Sequence, residues 1–298
     1  APPIASLVEG YKGKAEVSAG EEFDPSPSNI DNRTSKGKLK AGGQYAYLTK
    51  ENRGDAVVGN IRLRFGTPKS LVGKEVVGQF TARMLNRGTK TLNYQQLQDR
   101  LDALEAQVRV SGGSSSASFS INTTHDNLPE VIDLVGEMAT EPVFNEEEFN
   151  KLVEEQLSSL EESLSDPQAV ASNTLGRMTS PYKKSDVRYV MTMEEQIEAI
   201  KALKFEDVKT FYDEFYGASE ATISIVGDFD EAPISNKIKK YFGTWKNPGK
   251  YKRITNPYME VKPGNVNLET PDKANAMFFA ALNLPIGDEH PDYAALMI

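Results

Sequence analysis

The pattern that most constrains this chain is a change of hydrophobic period after Gly42-Gly43. Residues 1–40 are polar, charged and broken by prolines, as in Phe23-Asp-Pro-Ser-Pro-Ser-Asn29, and read as an extended linker or arm. Two strands are then expected over 44–50 and 56–65, where Val58, Ile61, Leu63 and Phe65 come close to period two. Helical spacing takes over next. Residues 72–85 read as a helix stopped before Gly88, and Asn93 caps a second with Leu97, Leu101 and Leu104 on one stripe. A hairpin follows around Gly112-Gly113, joining 108–110 to a Ser-rich strand over 117–123, and then a helix over 127–139.

The second half repeats this mixture. Asn145 and Glu148 have the spacing of a capping box, and the long helix after them carries Phe149, Leu152, Val153, Leu157, Leu160 and Leu164 as a wide core-facing stripe. Asp166-Pro167 starts another helix, and Thr192 with Glu195 forms a second capping box. A helix over 205–215, an apolar strand over 220–226 and a helix over 232–242 complete a first α+β subdomain spanning 41–243. Residues 244–272 are rich in Pro, Gly and Asn and read as an inter-subdomain linker. A strand over 274–284 and a helix opened by His290-Pro291 begin a second α+β subdomain over 273–298, which is expected to be truncated. The opening Ala1-Pro-Pro leads to the expectation of a processed chain or a fragment.

Composition removes much chemistry. The 298 residues contain no Cys and two His, His125 and His290, so disulfides, thiolate metal sites, thiol nucleophiles and a three-His metal site are all excluded. The formal charge of −9 repels phosphate backbones, so nucleic acid is not an expected partner. No apolar run approaches the ~20 residues of a membrane helix. The Cys-free composition fits a periplasmic or otherwise exported protein, and equally a cytoplasmic one.

Local motifs are weak. The stretch from Gly66 to Gly73-Lys74 is too long for a phosphate loop, and Glu75 replaces the hydroxyl that would hold magnesium. Gly112-Gly-Ser-Ser-Ser116 lacks the closing glycine of a nucleophile elbow. The acidic groups Glu146-Glu147-Glu148, Glu154-Glu155 and Glu161-Glu162 recur on one helix and read as its solvated face. His125 and His290 read as surface or capping residues.

One block is more specific. Val76-Val-Gly-Gln-Phe-Thr-Ala-Arg-Met-Leu-Asn-Arg-Gly-Thr89, preceded by Leu63-Arg-Phe-Gly66, resembles the signature helix of the inverted zinc peptidases, the pitrilysin and mitochondrial-processing-peptidase family. Family members read Gly-x-x-His-x-x-Glu-His-Met-Leu-x-x-Gly-Thr there, with two His binding zinc and the Glu activating the metal-bound water. Further blocks resemble the family in order: Pro181 to Tyr189, Phe211 to Gly217, Ile223 to Asp230, and Asp288 to Ala294. The resemblance implies an α+β metallopeptidase-half fold of the LuxS/mitochondrial-processing-peptidase type. Its sheet is expected to be mixed and rich in antiparallel pairs, with helices packed on one side.

The resemblance also places the site. Gln79 stands at the first His, Ala82 at the base Glu and Arg83 at the second His, and Ser159 at the third ligand. All four positions are degenerate, so the expected reading is a non-catalytic half with no catalytic residue, metal ligand or cofactor of its own. Zinc is expected in a homologous catalytic half, in the same polypeptide or a separate subunit, and the two would enclose a peptide substrate. The family's substrate-contacting Arg/Tyr pair is expected beyond residue 298. Arg177 with Tyr182, or Arg188 with Tyr189, is expected only to orient a loop. The alternatives are a scaffold subunit resembling respiratory-complex core proteins, with no part in proteolysis, and an autonomous enzyme with a two-carboxylate site.

Overall fold

A computed structural model of the protein describes residues 19–298. Six strands form one sheet in the order β1-β2-β6-β3-β5-β4. They are β1 (Thr34–Lys38), β2 (Gln44–Thr49), β3 (Ala56–Arg64), β4 (Gln107–Gly112), β5 (Ser116–Thr124) and β6 (Thr222–Gly227). Only β2 and β6 run parallel; the other four pairings are antiparallel, so the sheet is mixed and antiparallel-rich.

Alternation along the strands sorts the two faces. Val57, Ile61 and Leu63 of β3, Phe119 and Ile121 of β5, and Ile223 and Ile225 of β6 are buried together in one core. Helices Leu128–Thr140 and Glu231–Phe242 share that core and pack on each other. A Cβ at Gly136 would lie 2.3 Å from the Tyr241 ring, so glycine sets how closely the two helices approach. The opposite face exposes Arg62, Arg109, Ser120, Thr222 and Ser224, while at its β2 side Leu48 is buried beside Val226. A second cluster joins Val76, Phe80 and Met84 to Phe149 and Leu152, and to Ile200 and Val208, tying the helix Glu75–Met84 to helices Glu146–Ser163, Met193–Ala202 and Phe205–Phe215.

Most expected elements form, with some differences. Residues 1–18 of the expected arm lie outside the described residues. Pro27–Arg33 is a helix and β1 is the edge strand against β2, although Thr34-Ser-Lys-Gly-Lys38 has no apolar period. The Asn93 and Thr192 capping boxes close in both directions. At Asn145 only half a box forms, because its side chain accepts from the Glu148 N–H while the Glu148 carboxylate turns to Arg87 and Lys151. The stripe on that helix is narrower than its spacing implied. Phe149 and Leu152 are buried, Val153, Leu157 and Leu160 are partly covered, and Leu164 is exposed. Residues 274–284 pair into no strand, and a short helix, Tyr293–Leu296, follows His290. Among the described residues no helix is long and apolar enough to cross a membrane.

Candidate functional site

The helix Glu75–Met84 carries the candidate site, and its seat is fixed by close backbone contact. A Cβ at Gly78 would lie 2.5 Å from the Gly113 carbonyl oxygen, so this glycine lets the helix press against the β4–β5 hairpin. Glu75 reinforces the junction by accepting from the Ser114 N–H at 3.4 Å.

Each site position has its own occupant. Gln79 is half-buried, and its Nε2 donates to Glu75 Oε1 one turn back at 2.8 Å. Ala82 is fully buried, with its methyl 2.7 Å from where a Cβ on Gly112 would sit. Arg83 is exposed. Desolvation, then the like charge of Arg87, lowers its pKa while Glu155 raises it, and contact with water keeps the effect modest. Ser159 is exposed on the helix Glu146–Ser163, and its carbonyl accepts from Ser163 Oγ at 2.7 Å.

An amide already committed to Glu75, a buried methyl, a guanidinium and an exposed hydroxyl are not a zinc donor set, and zinc does not fit these residues. Among the described residues no group of three or more His, Asp or Glu is arranged to hold a metal.

One turn beyond Arg83 the structure holds charges that sequence spacing alone did not connect. Arg87 Nη2 meets Glu155 Oε2 at 2.6 Å, and its Nη1 lies 3.3 Å from Glu148 Oε2. Its guanidinium also covers the Tyr94 ring at 4.8 Å. Burial opposes the Arg87 charge, but the hydrogen bond and charge of Glu155, with Tyr94 and Glu148, raise its pKa overall. Glu148 and Glu155 stand seven residues apart and so share a helix face, the one signal that pointed to this pairing. The solvated-face reading therefore fails for Glu148, whose side chain is only 15% exposed.

The remaining candidates serve other ends. His125 Nδ1 bonds Asp228 Oδ1 at 2.9 Å where β5 and β6 end, and that bond raises its pKa. His290 Nδ1 accepts from the Asp292 N–H at 3.1 Å. Arg188 pairs with Tyr182 rather than Tyr189, lying 4.0 Å above its ring. It also grips Asp186 through Nε and Nη2, and donates to the Thr255 carbonyl at 3.0 Å. Tyr189 donates to Glu195 Oε2 at 2.7 Å, and Lys184 pairs with the same carboxylate. Arg188, Tyr182 and Tyr189 therefore brace the loop after the helix Pro167–Thr179. Beside this loop a cavity of about 330 Å³ opens between Leu71, Val77, Val187, Met191, Leu203 and Phe211.

Two family models match the chain. One, described as insulinase (peptidase family M16), covers residues 77–185, and the other, described as peptidase M16 inactive domain, covers residues 202–298. The zinc protease PqqE of Helicobacter pylori is 23% identical over 235 residues, 74% of this chain and 49% of that relative. The chain thus spans about half the length of this curated relative. A peptidase M16 inactive domain from Pseudomonas fluorescens superposes with a TM-score of 0.61 at 17% identity, covering 76% of this chain and 54% of that one. The periplasmic protease PqqL from Escherichia coli gives 0.58 at 17% identity, covering 76% and 25%.

Proposed function

We propose that this chain, which belongs to peptidase family M16, is an inactive domain that pairs with a homologous catalytic half and closes a peptide-holding chamber around the substrate. One observation carries the reading. The signature helix is seated against the β4–β5 hairpin through Gly78, while Gln79, Ala82, Arg83 and Ser159 occupy the four site positions. A frame kept without its chemistry suits a part retained for shape. Zinc and the activated water belong to the partner half.

The edge of the sheet supports a path for the substrate. β4 is an edge strand, so its outer backbone groups are open to an added strand. A peptide on that edge passes the hairpin that packs on Ala82. Residues 41–243 form the wall, 244–272 act as a linker, and 273–298 belong to a further α+β unit. An exported location agrees with the periplasmic relative, as that protein's description has it.

The test mixes the full chain with a zinc-bearing homologous half and follows peptide cleavage. The expected result is a changed rate or cleavage pattern. Identical kinetics with and without this chain would count decisively against a chamber role and favour a scaffold. Elemental analysis of the chain alone should find no stoichiometric zinc.

A further inference from the structure

We infer that the open face of the sheet is a binding surface for acidic, extended polypeptide. The inference rests on the chamber reading and deepens it by naming a substrate class. Its ground is the distribution of charge. The chain carries 43 Asp and Glu against 34 Lys and Arg, yet none of the six strands contains an acidic residue. Their charged residues are all cations: Lys36, Lys38, Arg62, Arg64 and Arg109.

Register places the three arginines on one face. Arg62 lies opposite Ser118 on one side and Thr222 on the other, and Arg64 lies opposite Ser116. In the next row Asn60 lies opposite Ser120, which lies opposite Arg109. Arg62 and Arg109 are exposed and Arg64 is half-exposed. Among the described residues none of the three arginines has a carboxylate partner, whereas Lys36 is paired with Asp31. Arg62 Nη2 reaches Ser116 Oγ at 3.3 Å and Arg64 Nη1 reaches Thr222 Oγ1 at 3.1 Å, neutral contacts that orient the guanidinium groups without neutralising them. Both keep free N–H donors for a carboxylate.

Three features choose the occupant. Arg62 and Arg64 stand two residues apart on a strand, roughly 7 Å, which matches carboxylates on alternate residues of an extended peptide. The hydroxyls and amides around them suit a polar main chain. The open-face positions of the strands carry no aromatic side chain on which a base could stack, and the whole chain is anionic, so single-stranded nucleic acid is disfavoured. The exposed apolar contact there is the register pair Val58 and Val226.

The test uses the full chain alone, without a catalytic partner. Fluorescence anisotropy compares an unstructured labelled peptide of Asp, Glu, Gly and Ser with one in which Lys replaces every acid. The acidic peptide should bind and the basic one should not, with affinity falling as salt rises. R62Q/R64Q/R109Q should weaken binding about tenfold. The matching Lys variant should recover part of the loss, and the control K246Q/K250Q should change nothing. Circular dichroism establishes that each variant is folded. Equal binding of the two peptides, indifference to the triple substitution, or tighter binding of a single-stranded oligonucleotide overturns the inference. Stimulation of a catalytic half without any acidic preference overturns it too, and leaves the chamber reading standing.

Discussion

Arg87 grips Glu155 with both guanidinium nitrogens, Nη2 at 2.6 Å from Oε2 and Nη1 at 3.5 Å from Oε1. Arg87 lies four residues past Arg83, in the turn after the helix Glu75–Met84, and Arg83 is the residue that stands at the second His in the resemblance. The helices Glu75–Met84 and Glu146–Ser163 are joined by the Phe80–Phe149 ring contact, with centroids 6.1 Å apart, and the turn that follows the first helix is tied to the second by this cation–carboxylate link.

That link should be measurable. Arg87→Ala removes one of the two cations that hold the largely covered Glu148, leaving Lys151, and removes the partner of the more exposed Glu155. The expected loss is about 1–2 kcal/mol in urea denaturation, since the largely covered Glu148 carboxylate keeps only Lys151 as a partner. Glu155→Gln should cost less, because Glu155 is half in water. If Arg87→Ala moves the midpoint no more than Glu155→Gln, the covered Glu148 contributes nothing.

Restoring the family's site should fail at Ala82. Its methyl is fully buried against Gly112, so Ala82→Glu forces a carboxylate into a closed, apolar contact. A cost of about 3 kcal/mol or more is expected, enough to threaten folding. Gln79→His and Ser159→Glu should be far milder, because those positions are half-buried and exposed. Thermal melts of the three single variants separate these expectations, and an unshifted Ala82→Glu melt would show that the helix can lift from the hairpin.

Gly78→Ala should act on the same contact from the other side. The added methyl would stand 2.5 Å from a backbone oxygen that has no rotamer to escape through. Overpacking of this kind costs about 1–3 kcal/mol. Gly176→Ala is the control, because nothing lies within 4 Å of where its methyl would stand and helix propensity favours alanine. A destabilised Gly176→Ala paired with a neutral Gly78→Ala would contradict the packing.

How much of this was legible depended on whether the cause was local. The capping boxes at Asn93 and Thr192 were readable because both partners stand three residues apart. The Asn145 box was readable in spacing yet failed in one direction, because Arg87, 61 residues away, captures Glu148. The Leu160 and Leu164 end of the long stripe kept its period but found little to cover it, since periodicity names a face and not its neighbour. β1 left no apolar pattern at all; Tyr45 lies over Gly37 across the strand pair and holds it there. The signature frame was visible as a motif, whereas the Arg87 cluster and the acid-free strands emerged only once distant segments were placed side by side.

The His125–Asp228 bond gives a pH dependence of definite sign. The bond raises the His125 pKa above the ordinary 6.5, opposed by partial desolvation and aided by the charges of Asp228, Asp230 and Asp126. Proton uptake is then stronger in the folded state than in the unfolded chain. Its stabilisation is fully present below about pH 6.5 and fades as pH rises through the raised value. His125→Gln should therefore lose stability relative to the parent at pH 6 and converge with it at pH 9. Two-dimensional NMR of the imidazole should give a titration midpoint above 6.5, and a midpoint below it would show that the carboxylate does not hold the proton.

The loop after the helix Pro167–Thr179 should respond to acid in the opposite sense. The Arg188 hydrogen bonds draw Asp186 down to about 2, and the Lys184 bond, with those from the Thr192 N–H and Tyr189, draws Glu195 to about 2. Both values lie below those of the unfolded chain, so the stabilisation is present above pH 4.5 and is lost as pH falls toward 2. The two carboxylates hold different parts of the loop: Asp186 fixes Arg188, which in turn reaches Thr255, while Glu195 closes the Thr192 box. Hydrogen exchange should therefore show the Arg188 and Thr192 amides losing protection between pH 4.5 and 2 while β3 and β5 amides stay protected. Asp186→Ala, which leaves no acceptor, should expose the Arg188 amide at neutral pH and leave that of Glu195 unchanged. Simultaneous loss in loop and sheet would mean that acid acts on the whole fold and not on these two pairs.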